Sequence, residues 1–206
     1  MSDARMHAPA AARNRDAILD VLRRLAPPQG VLLEIASGTG EHAAHFAAAL
    51  RHLIIQPSDA DAERRASIDA WCAGLANVLP AATLDASAPD WPVARADLVF
   101  CANMIHIAPW NAAEGLLAGA GRLLGRAASG SGGVLLLYGP FRRAGAHTSA
   151  SNAAFDADLR ARNPAWGVRD LEAIECLAHQ AGFGTAEITA MPANNLCVAF
   201  RRGATG

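Results

Sequence analysis

Short apolar runs bounded by glycine and proline alternate along this chain with stretches of helical periodicity, and strands spaced that way find cover most readily in an open sheet flanked by helices. Residues 1–12 read as a flexible start. Asn14 to Leu25 then sets Ile18, Leu19, Val21, Leu22 and Leu25 on one helical face and stops at Pro27-Pro28. Val31-Leu32-Leu33-Glu34-Ile35 is a first strand, and it ends in the small-residue loop Ala36-Ser37-Gly38-Thr39-Gly40 ahead of a helix from Glu41 to Leu50. Leu53 to Gln56 is a second strand that meets Pro57-Ser58-Asp59, followed by a helical stretch from Asp59 to Gly74. A third strand spans Asn77 to Leu84, ending at Asp85, and a fourth spans Ala96 to Cys101.

Asn111 to Arg126 forms a further helix, Ala127 to Gly133 a Gly/Ser-rich linker, and Val134 to Tyr138 a fifth strand whose unbroken apolar run suits burial on both faces. Gly139 to Ser151 is too long for an ordinary tight connection and is read as a functional loop. Helices are expected at Asn152 to Arg162 and Asp170 to Ala181. The last two strands, Phe183 to Ala190 and Leu196 to Arg202, are separated only by Met191-Pro192-Ala193-Asn194-Asn195, a gap that fits a hairpin and not a crossover. The spacing therefore predicts a Rossmann-like three-layer α/β/α sandwich. Its mainly parallel seven-stranded sheet closes with a C-terminal antiparallel hairpin, in a single domain over residues 13–206.

Composition removes several functions. All 18 basic residues are arginine, so a Schiff-base lysine and a Walker-type phosphate lysine are both excluded. A formal net charge of -1 supplies no positive field for nucleic acid or an anionic membrane, and neither partner is expected. Cys72, Cys101, Cys176 and Cys197 form no C-x-x-C pair, and His42 and His45 lack the i, i+4 spacing of a helical metal site, so no metal is expected. Without a signal-like or bilayer-length apolar run, the chain reads as soluble and cytoplasmic.

The chemistry concentrates in Glu34 to Gly40, where small residues between a strand and a helix let the backbone approach a ligand. Gly38-Thr39-Gly40-Glu41-His42-Ala43 satisfies the dinucleotide pattern G-x-G-x-x-A, and Asp59 stands at the spacing of a ribose-binding acid. Those features alone leave NAD, S-adenosylmethionine and a ligand-free tight turn open. Glu34 separates them, because a dinucleotide fold ordinarily keeps an apolar residue at that buried position.

With Glu34-Ile35-Ala36-Ser37-Gly38-Thr39-Gly40 the chain resembles the class I S-adenosylmethionine-dependent methyltransferases, although Ala36 stands where their first motif usually has glycine. That resemblance implies S-adenosylmethionine as cofactor, held by Glu34, Ala36, Ser37, Gly38 and Gly40. It further implies Asp59 at the ribose, Asp85 and Ala86 at the adenine, and Asn103 and Met104 beside the methionine end. Asp59 and Asp85 taken singly also read as caps of the following turn or helix.

More narrowly, the chain is similar to the family whose animal member is methyltransferase-like protein 26. The likeness runs through Arg13-Asn14-Arg15, the glycine loop, Gln56-Pro57-Ser58-Asp59, Cys101 to His106, Tyr138-Gly139-Pro140-Phe141, Ser151 to Asp156 and Met191 to Asn195. It adds Arg13 and Asn14 as an N-terminal segment over the cofactor, with Asn14 alternatively a helix cap.

Methyl transfer from a sulfonium is an in-line displacement, so alignment and exclusion of water are the main tasks. A small-molecule acceptor that must lose a proton needs a base; His106 is the first candidate and His147 the second, against the commoner reading of each as a structural histidine. Trp110, Tyr138 and Phe141 are candidate walls of the acceptor pocket, and Arg142 a partner for an acidic substrate. Trp110 alternatively packs under its helix, and Arg142 alternatively stands solvated. The competing functions are an NAD(P)-dependent oxidoreductase on the same loop and a non-catalytic module that keeps the cofactor site. The sequence does not constrain the oligomeric state.

Overall fold

A computed structural model describes residues 4–126 and 132–203. Helix α1 (Pro9–Leu25) leads into β1 (Gly30–Ile35), α2 (Glu41–Ala49), β2 (Leu53–Asp59), α3 (Ala62–Cys72) and the short β3 (Ala82–Thr83). Then come β4 (Leu98–Ala102), a single 3-10 turn (Met104–His106), α4 (Trp110–Leu124) and β5 (Gly133–Gly139). A small hairpin, β6 (Arg142–Arg143) and β7 (Ala146–His147), precedes α5 (Ala150–Arg162), α6 (Leu171–Gln180), β8 (Glu187–Met191) and β9 (Asn195–Arg202).

The main sheet has the order β3-β2-β1-β4-β5-β9-β8. Its first five strands are parallel, and β9 runs antiparallel to both β5 and β8. Side chains alternate across the pleat, so both faces are buried. Leu33, Ile35, Val99, Leu135 and Leu137 pack with α4 and α6, whereas Leu32, Phe100, Val134 and Leu136 pack with α1 and α2. Phe46, Phe100, Phe141 and Phe200 are each fully buried, and truncating any one to alanine costs about 3–5 kcal/mol in a core packed this closely.

Several boundaries differ from the sequence reading, each for a local reason. The helix expected from Asn14 starts at Pro9, whose fixed φ suits a first helical turn. The preceding residues, expected as a loose start, are tied down. The Met6 amide donates to Ser67 Oγ at 2.7 Å, Trp71 Nε1 to the Met6 carbonyl at 2.8 Å, and the Ala8 amide to Glu41 Oε2 at 2.6 Å. Asn14 therefore lies inside a helix and caps nothing.

The third strand shrinks from Asn77–Leu84 to two residues plus an isolated bridge between Ile55 and Val78, because Pro80 has no amide for the ladder. The long loop after β5 holds the β6–β7 hairpin, whose turn at Ala144 and Gly145 takes φ values of 47° and 76°. The strand expected from Phe183 begins at Glu187, leaving Phe183 as a lone bridge to Arg202 with Gly184 between. Most of the linker from Ala127 lies outside the described residues.

Candidate functional site

Strands β1 and β4 are neighbours whose following helices leave the sheet in opposite directions, and open α/β sheets hold ligands beyond the carboxyl ends of strands at such a point. The chain turns there through left-handed backbone after each strand, at Ala36 with φ 53° and at Asn103 with φ 58°. Glycine is required at position 40, where φ is 93° and a Cβ would lie 2.6 Å from the Ile68 Cα. The loop is clasped to the end of β2. The Ser37 amide donates to the Ser58 carbonyl at 2.8 Å, the Ser58 hydroxyl to the Glu34 carbonyl at 2.7 Å, and the Gly38 amide to Asp59 Oδ2 at 3.0 Å. Of the residues from Glu34 to Gly40, Ile35 and Ala36 line the adjoining cavity while Ser37 and Gly38 hold the loop in place.

That first cavity has a volume of about 520 Å³. Ile35, Ala36, Leu84, Ala86, Met104 and Ala112 give it apolar walls, and Asp59, Asp85, Ser87 and Asn111 give it polar edges. Asp59 is buried, and its Oδ1 accepts the Asp61 amide at 3.0 Å, which fixes the carboxylate without exhausting its acceptor capacity. Asp85 Oδ1 is fixed likewise by the Ser87 amide at 2.8 Å and hydroxyl at 2.7 Å. Arg162 and Trp166 stand at the same cavity, the guanidinium 5.3 Å from the indole centroid. Flat apolar walls with hydrogen-bonding edges match a nucleoside, whose base has two π-faces and whose ribose presents vicinal hydroxyls, so the residues present fit an adenosyl group.

A second cavity, of about 710 Å³, shares Ile107 with the first as a lining residue. Arg13 and Asn14 from α1, Asn103, Tyr138 and Pro140 from the strand ends, Ser151, Asn152 and Phe155 from α5, and Pro192, Ala193 and Asn195 from the last hairpin surround it. Those segments are far apart in the chain and converge only here.

Behind the loop, Glu34 is buried with its Oε2 unpartnered, and burial raises its pKa from 4.5 to about 8. His42 Nδ1 lies 3.8 Å from Glu34 Oε1, and its Nε2 is 2.7 Å from Asn14 Oδ1. Burial also pushes the His42 pKa down to about 4, so the ring is neutral and, with Asn14 Oδ1 as acceptor, carries its proton on Nε2. His42 ties α2 to the helix that carries Arg13 and Asn14. Sequence spacing treated it only as half of a rejected metal pair; a signal was available in its place two residues past Gly40.

The expected bases lie elsewhere. His106 is fully buried, edge-on to Phe141 with centroids 5.1 Å apart, and burial lowers its pKa to about 3. It fills the space a Cβ on Gly139 would need, 2.5 Å from His106 Nε2, and lines neither cavity. His147 Nε2 is 3.4 Å from Asp156 Oδ2 on the outer hairpin, and it too lines neither cavity.

Of the expected acceptor walls, Tyr138 lines the second cavity, whereas Phe141 is in the core and Trp110 stacks under Arg169, 5.5 Å from its guanidinium. Arg142 is paired with Asp170 and lines neither cavity. Arg13 and Asn14, expected over the cofactor, stand at the second cavity. The lining residues Ile107, Asn152, Phe155 and Asn195 were not singled out by chemistry, although the last three fall in segments that carried the family likeness.

Solved structures share this architecture. Human N-acetylserotonin methyltransferase in complex with S-adenosylmethionine superposes with a TM-score of 0.78 at 15% identity, over 95% of this chain and 53% of that one. An O-methyltransferase family protein from Burkholderia thailandensis gives 0.72 at 19% identity over 95% and 61%. CalO1, a methyltransferase of calicheamicin biosynthesis in its S-adenosylhomocysteine-bound form, gives 0.71 at 16% identity over 94% and 55%. The chain thus spans about half to three-fifths of the length of these proteins. Its fold is the Rossmann-like fold of class I methyltransferases. Residues 5–202 match the family model described as "Protein of unknown function (DUF938)", and the chain belongs to that family.

Proposed function

We propose that this protein is an S-adenosylmethionine-dependent methyltransferase acting on a small molecule, with the nucleoside in the first cavity and the acceptor in the second. The observation that carries this reading is that the two cavities share Ile107 and are lined by the left-handed turn residues that follow β1 and β4, Ala36 in the first and Asn103 in the second. S-adenosylmethionine supplies a methyl group on a sulfonium leaving group. Asp59 accepts hydrogen bonds from the ribose hydroxyls, Asp85 with Ser87 faces the polar edge of the base, and Ala36, Leu84, Ala86 and Met104 cover its apolar faces. Ser37, Gly38 and Glu34 act one layer out by holding the loop, and Asn103 places the end of β4 between the two cavities. Ile107 and Phe155 exclude water from the acceptor.

The seven shared segments, five of which contribute lining residues to the second cavity, support placing the chain beside methyltransferase-like protein 26. No helix among the described residues is long and apolar enough to cross a membrane. The free cysteines, three of them buried, suit a reducing cytoplasm.

Titration calorimetry with S-adenosylhomocysteine and, separately, NADH tests the cofactor. The expected result is micromolar binding of the first alone, weakened at least tenfold by Asp59→Ala. Binding of NADH alone would make the protein an oxidoreductase; binding of neither would leave the fold without this chemistry.

A further inference from the structure

We propose that the second cavity receives its acceptor as an organic anion, a small carboxylic acid with an apolar body, whose charge is held by Arg13. Among the described residues Arg13 is the only charged side chain lining that cavity, and its exposed guanidinium forms no ion pair or hydrogen bond there. Among the described residues no aspartate, glutamate or histidine lines the cavity with it; the remaining polar groups are the neutral Asn14, Asn103, Asn152, Asn195, Ser151 and Tyr138. An arginine at a concave site with no counter-charge favours an anionic guest. The first turns of α1 and α5 contribute Ala10, Ser151 and Asn152 to the lining, so the positive ends of two helix dipoles add to the same field. The rest of the wall is apolar. Ile107 and Phe155 are 37% and 36% exposed, unusually so for large apolar side chains in this molecule, and both face the cavity, where an acid's hydrocarbon portion would cover them.

The missing base points the same way. With no carboxylate or imidazole among the described lining residues, an acceptor atom that is already deprotonated at neutral pH is favoured, and a carboxylate oxygen is one. One carboxylate oxygen donates its lone pair to the methyl carbon, the carbon–sulfur bond breaks with its electron pair remaining on sulfur, and a methyl ester and S-adenosylhomocysteine result. No proton moves. The neutral ester no longer pairs with Arg13, which favours its release.

Only the transfer step rests on the methyltransferase reading; the binding of the acid does not. The test titrates the full chain, with and without saturating S-adenosylhomocysteine, with benzoate and hexanoate and with their methyl esters. At least one acid should bind tenfold or more tightly than its ester. Arg13→Gln should lose that acid tenfold or more, Arg13→Lys should restore most of the loss, and S-adenosylhomocysteine affinity should stay within twofold throughout. Labelled methyl transferred to the acid should be released by mild base, as an ester requires. Equal affinity for acid and ester, or no binding of either acid, would overturn the proposal. So would a loss of S-adenosylhomocysteine affinity in Arg13→Gln, which would assign Arg13 to the cofactor's own carboxylate. If the wild-type chain bound an acid through Arg13 but bound no S-adenosylhomocysteine, the anion site would stand and the methyltransferase reading would fall.

Discussion

Ala36 holds a conformation that costs a residue with a Cβ about 1–2 kcal/mol, at the point where the chain leaves β1 for the cavity. Ala36→Gly relieves that strain at some entropic cost in the unfolded chain, so the net expected gain is up to about 1 kcal/mol, seen as a higher urea midpoint. Gly40→Ala should move the midpoint the other way by more, since it adds both strain and a clash with Ile68. The buried titratable groups set the pH dependence. His42 and His106 have folded pKa values below their ordinary value of 6.5, so stability is lost as pH falls from 6.5 toward about 4 for the first and about 3 for the second. Glu34 has a folded pKa raised from 4.5 to about 8, so the unfolded chain releases its proton first and stability falls as pH rises through that interval. Between 4.5 and 6.5 the two histidines outweigh the one carboxyl, and above 6.5 the carboxyl acts alone. Chemical denaturation across pH should therefore show a maximum near 6.5, and Glu34→Gln should flatten the decline between 6.5 and 8.

Helix α1, packed on the sheet through Ile18, Leu19, Val21, Leu22 and Leu25, and the turn after β4 shape the second cavity, and polar contacts fix the position of each. His42→Phe keeps the stack on Phe46 but leaves Asn14 Oδ1 without its donor, an expected cost of about 1–3 kcal/mol. Because Asn14 and Arg13 ride on the loosened helix, ligands of the second cavity should weaken more than S-adenosylhomocysteine does, a split that parallel titrations would read. The turn after β4 hangs on Arg169, whose Nε donates to the Ile105 carbonyl at 2.9 Å and whose Nη2 donates to those of Ala108 at 2.7 Å and Ala165 at 2.9 Å. Arg169→Met should cost about 2–3 kcal/mol and weaken ligands of both cavities, since Ile107 lies between two of those carbonyls in sequence.

For the molecule as a whole, a ligand bound at the carboxyl edge of the sheet adds contacts to β1, β2 and β4, strands already paired with one another. S-adenosylhomocysteine at a hundred times its dissociation constant should add about 2.7 kcal/mol, a rise in Tm of about 5–10 °C for a chain of this size, while NADH at the same concentration leaves Tm unchanged. A thermal melt with each ligand checks this before any acceptor is known.

The sequence alone determined the alternation of strands and helices, the closing hairpin and the loop from Ala36 to Gly40, because hydrophobic period, glycine and proline act locally. It also marked Asp59 and Asp85, which sit at strand ends and so find the cavity by topology. It misplaced the start of α1 and the length of β3, where a single proline decides a boundary. It could not tell that His106 lies under Gly139 or that Arg142 is spent on Asp170, since burial and pairing depend on segments distant in the chain. Nor could it gather Arg13, Asn103, Tyr138, Asn152 and Asn195 around one space. Only the packing of α1, α5 and the last hairpin over the carboxyl edge of the sheet decided which side chains face a ligand.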